Sequence, residues 1–290
     1  MHPANSIILF TVTSGLGFGL LAFLGLGLPA VTGTTAFWYF ALAFSLAVGG
    51  LISSTFHLGN PQRAWRAFSQ WRSSWLSREG CLAVATLVVM GIYALFAVFM
   101  GQTLHILGII GAILALATVF ATSMIYAQMK TVPRWNHWST PLLFMILAIG
   151  GGALLSGNVF VAVVFIAAAG LLQTWMWSRG DLALAQSGSD IGTATGLGVR
   201  GMVRAFEPPH TGNNYLLKEM VHKIGRKHAR KLRMIALALM VIVPLVLLLL
   251  SHACIVIVLA VLAHVAGTLA QRWLFFAEAE HVVGLYYGKR

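Results

Sequence analysis

Charged residues are scarce in this sequence. Asp, Glu, Lys and Arg make up only 9% of its 290 residues, against about 25% in an ordinary soluble domain. Hydrophobic residues account for 59%, more than a water-soluble fold of this size could keep from solvent. The composition therefore excludes a soluble enzyme, a nucleic-acid-binding protein and a disordered scaffold, and it indicates a polytopic membrane protein.

Cysteine and acidic residues are also few. The two cysteines, Cys81 and Cys254, cannot supply the four thiolates of an iron–sulfur cluster. The seven acidic residues lie in predicted loops or near the ends of apolar runs. Because no acidic relay crosses the predicted membrane region, a proton pump or an ion-coupled transporter is disfavoured. We expect no metal site in this protein.

Long apolar runs dominate what is present. A helix needs about 20 apolar residues to span the ~30 Å hydrocarbon core. The sequence predicts an all-α membrane protein with eight transmembrane helices in a single membrane domain, residues 1–290. The predicted spans are 6–28, 36–56, 81–101, 105–127, 140–156, 158–177, 234–250 and 252–272.

The basic residues are distributed on one side only. All 19 fall in the connections 57–80, 128–139 and 178–233 or in the tail from 272, which eight spans place on the same side as both termini. The positive-inside rule then makes both termini cytoplasmic. The connection 178–233, between the sixth and seventh helices, is long and ends in the basic stretch Lys218–Arg233.

His57 lies where the second predicted helix leaves the membrane, just before Gly59-Asn60-Pro61. An imidazole at this position can exchange a proton near neutral pH and hydrogen-bond a carbonyl or hydroxyl group. Arg63 and Arg66 follow with the spacing of one helix face. The alternative is an interfacial histidine that only anchors a helix end, with arginines that meet lipid phosphates.

Aromatic residues cluster around the fourth connection. Tyr126, Trp135, His137 and Trp138 could form the mouth of a site for a flat ring. They could equally belong to the aromatic belt found at membrane interfaces. His264, near the middle of the eighth helix, is one candidate haem ligand, but a haem b would need a second deep histidine. A buried, hydrogen-bonded histidine is the simpler interpretation.

These motifs resemble a known family, the membrane-anchor subunits of dimethyl sulfoxide reductase and its relatives, including the anchors of membrane-bound sulfite dehydrogenases. The similarity lies in His57-Leu58-Gly59, Pro61, Arg63-Ala64 and Ser77-x-Glu79. It continues in Thr131-Val132-Pro133, Trp135, Trp138 and Thr140-Pro141, and more weakly in 272–284. The long basic connection 178–233 departs from the common pattern and looks more like the sulfite-oxidising branch.

The resemblance implies a quinone-reactive anchor in the bacterial inner membrane. It would pass electrons between quinone and an iron–sulfur subunit with [4Fe–4S] clusters, itself attached to a molybdopterin catalytic subunit. The anchor would hold no cofactor of its own, and the histidine matching His57 would belong to the quinol site. A transporter without a redox role remains the alternative; it should show broken helices or repeated halves.

A basic cytoplasmic surface suits a docked partner, because complementary charge steers association. The same charges could instead bind anionic lipids. The residues predicted to contact the iron–sulfur subunit are Arg72, Arg78, Lys130, Arg134, Arg226, Lys227, Arg230 and Lys231.

The predicted topology can be tested with reporter fusions. Alkaline phosphatase should be active when fused at Gly33, and a fluorescent protein should fold when fused at Gly201, because these positions lie on opposite sides. Finding Gly201 outside, or both positions on one side, would contradict the assignment.

Overall fold

The computed structural model describes residues 2–56, 60–207, 212, 220 and 228–287. Within these ranges the protein consists of helices, turns and loops and has no strand. Eight apolar helices, named here α1 to α8, form the bundle. They are α1 Asn5–Gly25, α2 Gly33–Thr55, α3 Trp75–Met100, α4 His105–Ala127, α5 Ser139–Leu155, α6 Val159–Gln186, α7 Ala229–Leu250 and α8 Cys254–Ala277.

Seven of these helices, among the residues described, are long and apolar enough to cross a membrane. The remaining one, α5, is apolar but has only 17 residues. The protein is therefore a polytopic all-helical membrane protein. Short helices lie outside the bundle: Pro61–Phe68, Ile191–Thr195, Gly198–Arg200 and Val282–Tyr287.

Several helices extend beyond the predicted spans. The helix α3 begins at Trp75 instead of 81, α6 continues past 177 to Gln186, and α7 begins at Ala229 instead of 234. Hydropathy marks the apolar part of a helix, whereas backbone hydrogen bonding can continue through the polar residues beyond it. The connection predicted over 178–233 accordingly has helical residues at both ends.

The assignment of Arg272 to a cytoplasmic tail is wrong. Because α8 continues to Ala277, Arg272 lies within this helix, where it is only 2% exposed. Glu79 is likewise buried on α3 instead of lying in the connection 57–80. Both ionisable side chains therefore belong to the interior of the bundle.

The first helix is the centre of the bundle, and it packs against α2, α4, α5 and α8. Small residues allow the close approach. A Cβ atom added at Gly19 would lie 2.0 Å from the carbonyl oxygen of Ala148, and one added at Gly25 would lie 2.4 Å from that of Gly108. Small residues at these two positions thus let the backbones of neighbouring helices come into direct contact.

The substitution Gly19→Ala should destabilise the protein by about 2 kcal/mol or more, because the new methyl group would force two backbones apart. The matched control is Gly49→Ala on α2, where an added Cβ meets no atom of the described residues within 4 Å. Thermal unfolding of the detergent-solubilised protein measures both. Equal stability of the two variants would contradict this account of the helix packing.

Candidate functional site

The predicted acid–base residue, His57, lies outside the described residues, as do Arg226 and Lys227. The two arginines that follow His57 are described. Arg63 and Arg66 lie on the short helix Pro61–Phe68 with exposed side chains. The Arg66 guanidinium is 5.5 Å from the centre of the Trp65 ring, a distance typical of a cation–π contact.

Arg78 fixes the loop before α3 through side-chain hydrogen bonds to its backbone. Its Nε atom donates a hydrogen bond to the carbonyl of Trp71 at 3.0 Å, and Nη2 donates to that of Arg72 at 2.6 Å. The guanidinium also lies 4.4 Å from the centre of the Trp75 ring. Arg78 therefore shapes the loop, whereas Arg72 is exposed and its charge faces outward.

The predicted aromatic cluster separates into two groups. Tyr126 and Trp135 are buried, and both pack against Phe275. The Trp135 indole also donates a hydrogen bond to the carbonyl of Phe275 at 3.0 Å. Tyr126 stacks on Phe144 of α5, with ring centres 5.8 Å apart. These two residues join the fourth connection to the core.

The second group lies at the surface. The His137 and Trp138 rings approach Trp175 of α6, at centre distances of 5.6 Å in each case. The Ser139 backbone N–H donates to His137 Nδ1 at 3.2 Å. Burial, followed by the charge of Arg179, lowers the pKa of His137. Both effects favour the neutral imidazole, whose Nδ1 atom already accepts a hydrogen bond.

A cluster of opposite charges joins α6, α7, the end of α8 and the connection between α4 and α5. Arg233 of α7 contacts Asp181 of α6 at 2.6 Å and Glu278, at the end of α8, at 2.7 Å. Arg134 contacts Asp181 at 2.8 Å and Glu278 at 3.5 Å. Arg134, a predicted docking residue, thus has its charge balanced within the protein.

The remaining predicted docking residues differ from Arg134. Lys130, Arg230 and Lys231 are exposed. Arg230 and Lys231 lie on the first turn of α7, so their charges face the region outside the apolar bundle.

A cleft between α1, α4, α5 and α8 brings His264 together with Arg272, an ionisable residue that sequence reasoning did not single out. The cleft is small, with a volume of about 20 Å³, and Thr122, Phe144, His264, Thr268 and Arg272 are among the residues that line it. The Arg272 guanidinium lies over the Phe144 ring, 3.8 Å from its centre. Two of its nitrogens, Nε and Nη1, are buried and have no hydrogen-bond partner among the described residues.

Only one of the two ring nitrogens of His264 has a hydrogen-bond partner among the described residues. Its Nδ1 atom lies 2.7 Å from the carbonyl oxygen of Met240, so Nδ1 carries the proton and donates it. The Met240 carbonyl lacks its usual helical donor because Pro244, four residues later, has no N–H. The other ring nitrogen, Nε2, is buried and finds no partner in the part of the sequence that the structure describes.

Glu79 does not line the cleft itself, but it is hydrogen-bonded to a hydroxyl group that does. The Thr122 side chain lines the cleft and donates a hydrogen bond to the Glu79 carboxylate. Ser77, from the same motif, donates to the carbonyl of Ala67 and accepts from the backbone N–H of Gln70 at 3.1 Å. The Ser77-x-Glu79 motif therefore fixes the loop with one residue and places a buried carboxyl group with the other.

The cleft residues had no local signature in the sequence. Arg272 follows the apolar residues of the eighth predicted helix. Only the apolar residues after it, such as Phe275 and Phe276, indicate that the helix continues and keeps Arg272 inside the bundle. Among the described residues, no three His, Cys, Asp or Glu side chains lie close enough to bind a metal ion together.

Comparisons with known proteins find relatives among the subunits of dimethyl sulfoxide reductases and sulfite dehydrogenases. A family model described as DMSO reductase anchor subunit (DmsC) matches residues 1–179. The C subunit of the sulfite dehydrogenase of Allochromatium vinosum is 31% identical over 99% of both proteins. The anaerobic dimethyl sulfoxide reductase chain YnfH of Escherichia coli is 34% identical over 41% of each protein. The C subunit of the anaerobic dimethyl sulfoxide reductase of Haemophilus influenzae is 29% identical over 37% of this protein and 39% of its own length. No solved structure matches.

The two carboxylates of the charge cluster should differ in their contribution to stability. Glu278→Gln should cost about 3 kcal/mol, because this side chain is 4% exposed and its loss leaves buried arginine charge uncompensated. Asp181→Asn should cost about 1 kcal/mol or less, because Asp181 is 47% exposed and water screens its ion pairs. Thermal unfolding of both variants tests this order, and a larger loss for Asp181→Asn would contradict it.

Proposed function

Because the protein belongs to the DMSO reductase anchor subunit family, we propose that it is the quinone-reactive membrane anchor of a molybdopterin and iron–sulfur oxidoreductase. The observation that carries this proposal is the similarity to the sulfite dehydrogenase C subunit over 99% of both proteins. The anchor passes electrons between the membrane quinone pool and an iron–sulfur partner subunit. Its partner in turn exchanges them with a molybdopterin catalytic subunit.

Residues of the anchor itself would accept the protons released by a quinol and stabilise negative charge on the quinone. Oxidation of a quinol releases two protons together with two electrons, and a base with a pKa near the working pH accepts a proton most effectively. We assign this acid–base role to His57. Arg63 and Arg66, exposed on the adjoining short helix, would stabilise negative charge on a quinone oxygen.

The aromatic residues support the same region in two ways. Tyr126 and Trp135 lie in the core behind Phe144 and would hold the walls of a quinone site in place. His137 and Trp138 form the surface part together with Trp175. The anchor itself would carry no haem or cluster, and quinone would be an exchangeable substrate.

All eight helices cross the membrane in this proposal, with both termini in the cytoplasm of a bacterial cell. A helix of 17 residues, as in α5, is at the short end of the range that can span. Three contacts support a common side for the loops. The Val282 N–H donates to Thr131 at 3.0 Å, the Tyr286 hydroxyl donates to Ala194, and Ser53 donates to Ser6 at 2.9 Å.

The cytoplasmic surface would receive the iron–sulfur subunit. Residues 1–290 form one membrane domain, and the connection 178–233 adds a basic segment to this surface. Arg72, Lys130, Arg230 and Lys231 are exposed there, and Arg226 and Lys227 extend the same stretch in sequence. Arg78 and Arg134 would act mainly by shaping the surface, because their guanidinium groups are bound within the protein. Charges left unoccupied by the partner would attract anionic lipids.

The substitution His57→Ala should leave the complex assembled and its activity with a soluble redox dye intact. It should lower quinone-linked turnover by about 10²–10⁴-fold, the usual contribution of a positioned acid–base group. Both activities are measured on one membrane preparation.

The matched control is His105→Ala, an exposed histidine at the opposite end of the bundle, at the start of α4. It should retain both activities. Unchanged quinone-linked turnover in His57→Ala would place the acid–base group elsewhere, and equal loss of both activities would show that the variant disrupts assembly.

A further inference from the structure

We propose that a groove between α6 and the start of α7 binds the head group of an anionic glycerophospholipid. The groove has a volume of about 460 Å³, and small-molecule sites usually measure about 300–1,000 Å³. The inference goes beyond the proposed function and does not depend on it. The residues that line the groove are Trp177, Asp181, Ala229, Arg230, Arg233, Met234 and Leu237.

The groove lies where α6 and α7 pack least closely. Residues 238–250 of α7 contact α6, whereas the preceding Ala229–Leu237 packs mainly on α8. Arg233 reaches across to α6. Its guanidinium lies 5.5 Å from the centre of the Trp177 ring, and its Nη2 atom donates a hydrogen bond to Asp181 at 2.6 Å. The guanidinium is therefore held in place at the wall of the groove.

The α7 wall of the groove changes from charged to apolar along the helix. Arg230, Arg233, Met234 and Leu237 follow the i, i+3, i+4, i+7 spacing of a single helix face. With a rise of 1.5 Å per residue, they extend over about 10 Å. A lipid has the same order of groups, with its charged phosphate followed by apolar chains.

The groove also lies at the depth of the lipid head groups. The predicted apolar span of α6 ends at Trp177 and that of α7 begins at Met234, and both residues line the groove. The charged lining residues Asp181 and Arg230 lie just outside these limits. A lipid phosphate beside Arg230 would therefore leave its acyl chains next to Met234 and Leu237, in the hydrocarbon.

Positive charge is in excess at the groove. The carboxylates of Asp181 and Glu278 are matched by Arg134 and Arg233. Arg230 is exposed and makes no ion pair among the described residues. A guanidinium has five N–H donors, and that of Arg233 uses three of them on the two carboxylates. Its remaining donors and the whole Arg230 guanidinium are available to the oxygens of a phosphate.

This charge balance favours an anionic lipid over a zwitterionic one. The ammonium group of phosphatidylethanolamine would lie beside the uncompensated charge of Arg230, whereas phosphatidylglycerol carries only its phosphate charge. Basic pockets between membrane helices bind anionic head groups for this reason. Free inorganic phosphate would meet the same arginines but would leave the apolar side chains of Met234 and Leu237 uncovered.

Native mass spectrometry of the full-length protein in detergent measures this binding. Phosphatidylglycerol should bind more tightly than phosphatidylethanolamine, and a large excess of inorganic phosphate should not displace it. Arg230→Gln should weaken the binding of phosphatidylglycerol about tenfold, because it removes charged hydrogen bonds. The matched control is Lys231→Gln, since Lys231 is exposed on the same turn but does not line the groove. This variant should bind the lipid as the unmodified protein does.

Three results of this measurement would overturn the proposal. Equal binding of the two lipids would remove the preference for an anionic head group. Displacement by inorganic phosphate would show that the phosphate alone is recognised. An equal loss of affinity in Arg230→Gln and Lys231→Gln would indicate diffuse attraction to a basic surface instead of a site.

Photolabelling tests the location in native membranes that contain the assembled complex. Phosphatidylglycerol with a photoreactive group in its acyl chain should label α7 between Met234 and Leu237. Arg230→Gln should reduce this labelling, and Lys231→Gln should not. Labelling of the isolated protein but not of the complex would show that a partner subunit covers the groove and would overturn the proposal. Labelling spread evenly over the helices, without dependence on Arg230, would overturn it as well.

Discussion

Hydrocarbon offers no partner to a charged or polar group, and this constraint governs where the ionisable residues of the protein lie. In the sequence, all 19 basic residues lie outside the predicted apolar spans or at their ends. Among those on or next to the helices, Arg134 and Arg233 contact two carboxylates, and Arg272 lies over an aromatic face. Burial of a charge inside a membrane is costly enough that each such residue calls for a structural or functional reason.

The same constraint explains why proline and histidine meet in the bundle. Pro244 leaves a carbonyl without its usual donor in the middle of a membrane helix, and such a group must be satisfied from another helix. His264 supplies that donor to Met240. One ring nitrogen thereby stabilises the contact of α7 with α8, and the other is left facing the cleft. A single side chain thus satisfies a structural requirement and presents an unpaired nitrogen to the cleft.

Hydropathy was sufficient to predict an all-helical membrane protein and the approximate positions of its helices. The apolar runs indicated the helices because their length is fixed by the membrane. The helix ends were predicted less well: polar residues such as Arg179 and Asp181 continue α6 in the structure, beyond the reach of a hydropathy criterion. The cleft could not be predicted, because its lining combines residues from four helices that are far apart in the sequence. Only their packing brings Thr11, Thr122, Phe144 and Arg272 together.

The direct backbone contacts of α1 also bear on how the bundle can move. At Gly17 and Gly19, this helix touches α2 and α5 without side chains between them, so it has little freedom to slide or tilt. Alternating access in transporters requires one group of helices to rock against another around a central site. A helix fastened to its neighbours through backbone atoms opposes such rocking. The bundle is instead built as a fixed frame around α1.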